Sequence, residues 1–205
     1  MQDIKFGTDG WRAIIGKDFT CHNVSRVSLG VAEWLNNKYQ NASVVIGYDC
    51  RFGSKMFAEV VAKTLSIRQI KVYISNDFVS TPMVSLGVLK HKANLGIVIT
   101  ASHNPASYNG YKLKGDFGGP LLPDDIGAIE ELIPQNNTID LDLVKFSELV
   151  DSKDIIYTDL EQFYCKHVES NFDLDLINKS SLKFAYDAMF GAGRNVVKFL
   201  LPKIH

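Results

Sequence analysis

Apolar positions keep two rhythms along the chain. At residues 23–38 they recur as Val24, Val27, Val31 and the pair Trp34/Leu35, a spacing that predicts a helix with one buried stripe. Met56, Phe57, Val60, Val61 and Leu65 repeat that helical pattern over 54–66. Between and after these stripes come short β-branched runs: SVVIGY at 43–48, the alternating IKVYI at 70–74, and LGIVI at 95–99. Runs this short and this apolar predict buried strands. Ser80-Thr81-Pro82 predicts a helix start, with a hydroxyl at the cap and proline in the first turn. Pro123-Asp124-Asp125 predicts another, with carboxylates where the helix dipole favours them.

The resulting β-α-β-α-β order calls for α/β architecture: a three-layer α/β/α domain with a mostly parallel (mixed) sheet, followed by an incomplete second α/β domain. The first domain is placed at 1–134. Residues 135–158, polar and interrupted, are expected to be a linker. Residues 159–205 are read as the truncated start of the second domain. There Thr158-x-x-Glu161 predicts a capped helix, and LKFAYD at 182–187 a strand followed by a Gly191-Ala-Gly193 turn and a short apolar helix. An apolar face left open on 182–201 would make that segment mobile or pair it with another chain, so self-association through the incomplete domain is an option. Ligands of such sheets bind beyond the carboxyl ends of the strands, so the loops 49–54, 75–81 and 100–119 are expected to share one rim.

Composition narrows the function classes. The 205 residues are 46% hydrophobic and 22% charged, with a formal net charge of -1, which leaves no electrostatic footprint for nucleic acid or an anionic membrane. No apolar run approaches the ~18 residues of a membrane span, and the N-terminus lacks an apolar signal region. Cys21, Cys50 and Cys165 have scattered spacings and read as free thiols of a reducing compartment. A cytoplasmic location is the expectation.

The candidate chemistry sits behind the strand 95–99, in Thr100-Ala-Ser102-His103-Asn104-Pro105. A serine hydroxyl is a weak nucleophile until a base or field activates it, and His103 stands beside it. Pro105 stiffens the turn. The local chemistry alone fits a polar loop as well as a nucleophile. Hydrolase patterns do not fit: there is no G-x-S-x-G elbow at Ser102 and no S-x-x-K there. Asn109-Gly110 reads as a hairpin turn that would swing Lys112 and Lys114 back toward the serine. The run Gly115 to Pro120 is a flexible flap or an anion nest. Arg12 and Arg51 offer planar donors suited to phosphate, although Asp49 and Arg51 equally read as an internal ion pair. His22, His91 and His167 form no zinc spacing with the cysteines.

Taken in order, FGTDGWRA, YDCR, STP, TASHNPASYNGYKLK and AYDAMFGAGRNV resemble the α-D-phosphohexomutases, the family of phosphoglucomutase and phosphomannomutase. The resemblance implies an isomerase that moves phosphate between the 6- and 1-positions of a hexose through a phosphoserine and a bisphosphate intermediate. It makes Ser102 the phosphorylated residue and a Mg²⁺ ligand, His103 and Lys112 the acid–base candidates, and Arg12 a contact of the phosphoserine. Arg51, Asn104 and Lys114 would bind substrate or phosphate. A hexose 1,6-bisphosphate would be the activator, and a phosphosugar the partner. The family's Asp-Gly-Asp-x-Asp-Arg metal loop, sugar-recognition segment and terminal phosphate-binding segment do not occur in this sequence. The resemblance therefore implies the first domain and the start of the second of a longer mutase, with this chain alone inactive or serving as a binding module.

Overall fold

Val44, Val45 and Ile46 are wholly shielded from solvent on both sides of their strand, as a central strand covered by two helical layers requires. The computed structural model describes residues 4–7, 10–181 and 183–201. Thr8 and Asp9 of the N-terminal motif, and Leu182 of the expected strand 182–187, lie outside the described residues. The elements run β1 (Trp11–Ile14), α1 (Cys21–Lys38), β2 (Ser43–Tyr48), α2 (Ser54–Ile67), β3 (Lys71–Ser75), α3 (Thr81–His91), β4 (Leu95–Ile99) and β5 (Tyr108–Gly115). They continue with α4 (Pro123–Leu132), α5 (Phe146–Asp151), β6 (Ile155–Thr158), α6 (Leu160–Asn171), α7 (Leu174–Lys179) and α8 (Val196–Leu200).

One mixed sheet has the order β1-β5-β4-β2-β3-β6. The four strands β4, β2, β3 and β6 are parallel, while β5 runs antiparallel to β4 and to β1. Alternation along the strands sorts the core. Val44, Ile46, Ile97, Ile99 and Tyr111 pack with α1 and α2; Val45 and Val98 pack with α3 and α6. Gly47 and Gly96 let α3 come close, since a Cβ on Gly47 would meet Val84 Cγ2 at 2.3 Å and one on Gly96 would meet Val88 Cγ2 at 2.6 Å. The three-layer α/β/α expectation holds.

Four local expectations change. The segment 135–158, expected to be a linker, carries α5 and β6, and β6 pairs in parallel with β3 as an edge of the sheet. A four-residue strand flanked by polar residues has too little apolar pattern to announce itself. The helix expected to be capped at Thr158 is capped one residue later, where the Asp159 side chain accepts from Gln162 N. Its Leu160 packs against Gly87 of α3, so the start of the presumed second domain rests on the first. The described residues 183–188 form no strand, since a strand needs a bonded neighbour and no strand is present beyond residue 158 among the described residues.

The fourth change concerns Asn109 and Gly110. They are not a turn but lie inside β5, facing Ala13 and Arg12 of β1. The hairpin connection is the loop 100–107 itself. Because β5 runs antiparallel, the glycine-dense stretch ends up at the far end of the sheet from that loop. There Gly118 N donates to Gly115 O at 2.9 Å and sits against α3 at Ser85 and Leu89, so it is neither flap nor rim.

Candidate active site

The β2 chain leaves the sheet at Asp49, which is the hub beneath the serine loop. Asp49 Oδ1 accepts from Ser54 Oγ at 2.8 Å and from Arg51 N at 3.0 Å. Its Oδ2 accepts from Thr100 Oγ1 at 2.6 Å. That hydroxyl in turn accepts from Ser102 N at 3.0 Å. Asn109 closes the network from β5, donating to Ser54 Oγ at 2.9 Å while its Oδ1 takes Gly110 N at 2.8 Å. Gly110 is required by close approach. A Cβ there would stand 2.6 Å from Thr100 O and 3.0 Å from Trp11 O.

Ser102 adopts φ 55°, the left-handed region that a side chain occupies only when its surroundings dictate it. Its N–H is held by Thr100 and its carbonyl by Arg51 Nη2 at 2.7 Å, so the hydroxyl projects from a fixed backbone. The hydroxyl is exposed and lies 3.4 Å from His103 Nδ1. Asn104 N donates to Ala101 O and Tyr108 N to Pro105 O, both at 3.0 Å, which stiffens the remainder of the turn.

A cleft of about 860 Å³ opens beside this hydroxyl. It is lined by Asp49 to Phe52, by Val79 to Thr81 at the N-terminus of α3, and by the loop from Thr100 to Ala106. Met189 to Ala192 form its outer wall. The 49–52, 79–81 and 100–106 segments thus share the expected rim, whereas 108–119 leaves it. The positive end of the α3 dipole at the cleft favours an anion there. Burial pushes the Cys50 thiol above the usual range, so this wall residue stays protonated at neutral pH.

The sequence candidates divide. Ser102, His103, Asn104 and Arg51 line the cleft together. Arg12 does not line it but reaches the loop from β1, where its Nη1 donates to Asn104 Oδ1 at 3.1 Å. Lys112 and Lys114 do not line it. They alternate with Tyr111 and Leu113, are buried, and project to the α3 side of the sheet, Lys112 against Gly10 and Lys114 against Gly96. The Asp49–Arg51 pair, left open by the sequence, is an ion pair with Nε 3.6 Å from Oδ2. The supporting roles of Thr100, Ser54 and Asn109 depend on side-chain partners from three separate segments and carry no local pattern of their own. Asp49 two residues before Arg51 is the local sign of an Asx turn and was the signal to follow.

For Mg²⁺, the described residues contain no cluster of three or more His, Cys, Asp or Glu side chains able to hold a metal. Both oxygens of Asp49 are taken by the loop network. The described part of this chain does not offer a complete Mg²⁺ shell. Among the described residues no helix is long and apolar enough to cross a membrane.

Comparison with known proteins bears on this geometry. Residues 3–140 match the family described as "Phosphoglucomutase/phosphomannomutase, alpha/beta/alpha domain I". A phosphoglucomutase of Staphylococcus saprophyticus is 37% identical over 173 residues, covering 82% of this chain and 31% of the relative. A phosphoribomutase of Saccharomyces cerevisiae is 33% identical over 218 residues, covering 98% of this chain and 35% of the relative. Among solved structures, a candidate phosphomannomutase from Thermus thermophilus superposes with TM-score 0.86 at 29% identity, over 99% of this chain and 45% of its own. The chain spans about a third of the length of these curated relatives. With its α/β/α sheet and the serine loop between β4 and β5, the chain belongs to the phosphoglucomutase/phosphomannomutase family.

Proposed function

We propose that this chain carries the phosphoryl-transferring serine of a phosphosugar mutase, with Ser102 as the group that gains and loses phosphate. One observation carries the reading: the Ser102 hydroxyl stands exposed at the cleft on a backbone held at both its N–H and its carbonyl, with His103 Nδ1 at 3.4 Å. Phosphoryl transfer asks for positioning and charge neutralisation more than for covalent chemistry, and a rigid carrier beside a helix N-terminus meets both needs.

In the forward step a sugar hydroxyl oxygen forms a bond to phosphorus as the Ser102 Oγ–P bond breaks. The sugar hydroxyl gives its proton to the imidazole at the cleft and Ser102 Oγ takes one from it, so the site's proton count is unchanged over the step. His103, with Nδ1 3.4 Å from Oγ, is our candidate for handling the proton there. Lys112, the other acid–base candidate of the motif, is buried on the α3 side of β5 away from the cleft and is left to add positive charge behind the loop. Arg12 steadies Asn104 next to the phosphorylated serine. Mg²⁺, where bound, would neutralise phosphoryl charge; the phosphorylated Ser102 would be this chain's contribution to holding it. A hexose 1,6-bisphosphate both primes the serine and is the intermediate of the 6-to-1 transfer. The relatives named for glucose and for ribose keep the choice of sugar open to assay.

Incubating the chain with glucose 1,6-bisphosphate and Mg²⁺ should add one phosphoryl group by intact-protein mass spectrometry. Peptide mapping should place it on Ser102, and Ser102→Ala should abolish it. Absence of any uptake by the wild-type chain, or undiminished uptake by Ser102→Ala, overturns the reading. Steady-state assays of this chain with glucose and ribose phosphates should show phosphoryl uptake without sustained turnover.

A further inference from the structure

The carbonyl oxygens of the serine loop are gathered on one side, over a single side chain. Arg51 Nη2 donates to Ser102 O at 2.7 Å and to Asn104 O at 2.6 Å. Its Nη1 donates to Pro105 O at 2.8 Å and to Tyr108 O at 3.0 Å. Its Nε faces Asp49 Oδ2 at 3.6 Å, so all three guanidinium nitrogens are committed. An arginine serving as a phosphate ligand would turn its planar fork to the cleft. This fork is turned to the loop's own backbone, and its side chain is only 14% exposed.

We propose that Arg51 is the positioning residue of the Ser102 loop and not a ligand of the transferred group. Two effects follow. The first is geometric: four acceptors spread over residues 102 to 108 are tied to one rigid plane, which holds Ser102 in its left-handed conformation. The second is electrostatic. The negative ends of four peptide dipoles point at a cation beneath the loop, where the incoming phosphoryl oxygens do not meet them. Asp49 completes the device by holding the guanidinium from the β2 side and the loop through Thr100. A lysine cannot replace this arrangement, because its donors radiate from one nitrogen and cannot span the four oxygens.

The inference deepens the proposed function and rests on it only for the kinetic half of its test. The amides of Ser102, Asn104 and Tyr108 bond to Thr100 Oγ1, Ala101 O and Pro105 O, and none of them bonds to Arg51. They report loop order independently of the side chain removed. Hydrogen exchange on the full chain, resolved by NMR, should show these amides exchanging about tenfold or more faster in both R51M and R51K, as loss of one or more charge-assisted bonds implies. Amides of β2 should be unchanged. In phosphorylation by glucose 1,6-bisphosphate, the maximal rate should fall by roughly 10- to 100-fold in both variants while the half-saturating concentration moves by less than about threefold. Wild-type exchange and rate in R51K would reduce Arg51 to a mere charge and overturn the proposal. So would a tenfold rise in half-saturation at an unchanged maximal rate, the behaviour of a ligand. If the wild-type chain takes up no phosphate, the proposed function fails, and the exchange data alone decide for or against the clamp. Should R51M not fold, R51K carries both arms.

Discussion

The sheet domain and the segment after α6 are made of similar residues put to opposite use. Phe57, Phe19 and Trp11 are buried and meet ring to ring, with Phe19 4.8 Å from each of the other two. Beyond α6, Phe190 is 90% and Met189 80% exposed, and Phe172, Leu176 and Phe199 also face solvent. The difference lies in neighbours rather than composition. In the first region each strand has a bonded partner and each helix packs on the sheet or on a neighbouring helix. In the second, α7 and α8 are six and five residues long, too short to stand unaided. The segment is tied down at a few points, by Val196 in the α3–α6 cluster and by Arg194 over the Phe78 ring at 5.4 Å. Aromatic content is therefore no measure of stability until the packing is known.

The largest test of that contrast is Phe57→Ala, which should lose about 3–5 kcal/mol in urea denaturation, as removal of a buried aromatic does. A loss below about 1 kcal/mol would erase the distinction between the two regions. Gly110→Ala should cost about 1–3 kcal/mol, because the new methyl runs into the backbone carbonyls of Thr100 and Trp11. It should also speed exchange at Thr100 N, whose acceptor is Gly110 O.

A smaller effect is set by pH. His91 stacks on Tyr73 at 4.0 Å, meets Phe163 edge-on and shares a hydrogen with Thr158 Oγ1 at 2.8 Å, linking α3 to β3, β6 and α6. Burial holds its pKa below the usual imidazole range. The unfolded chain thus binds the proton more readily than the folded one. The stabilising contribution is complete above the ordinary imidazole value of about 6.5 and is lost as pH falls below it. Denaturation midpoints measured between about pH 5 and pH 8 should therefore drop on the acid side. His91→Phe should flatten that slope, and an unchanged slope would refute the assignment. The smallest expected change is Phe190→Ser, within about 0.5 kcal/mol of wild type. A larger loss would mean that the outer wall of the cleft is packed against something beyond the described contacts.

Long, strongly periodic elements were legible in the sequence. The stripes of α1 and α2 and the runs of β2, β3 and β4 appear where expected, because their burial repeats with the period of the element. What escaped depended on distant partners. β1 and β6 are four residues each and become strands through their neighbours. Asn109-Gly110 carries turn propensity, yet pairing with β1 and the bonds to Ser54 and Phe52 override it. At the site, Ser102, His103 and Asn104 could be read from local chemistry and family resemblance. The direction of the Arg51 fork could not, since it is decided by where four carbonyls of another segment lie. Nor could the burial of Lys112 and Lys114, which follows from β5 being a strand.

The antiparallel course of β5 has a mechanical consequence. In a parallel sheet the segment after a strand departs into a helix and is free to hinge. Here the chain goes out along β4 and returns along β5, so both ends of the reactive loop are sewn to adjacent rows of the same fabric, with Thr100 N bonded directly across to Gly110 O. Shifting the loop's ends would mean unpicking the sheet, and between them Thr100 and Arg51 hold Ser102. On the proposed reading, a sugar that must offer first one oxygen and then another to the same serine has to make the turn itself, for the post it is hitched to stays still.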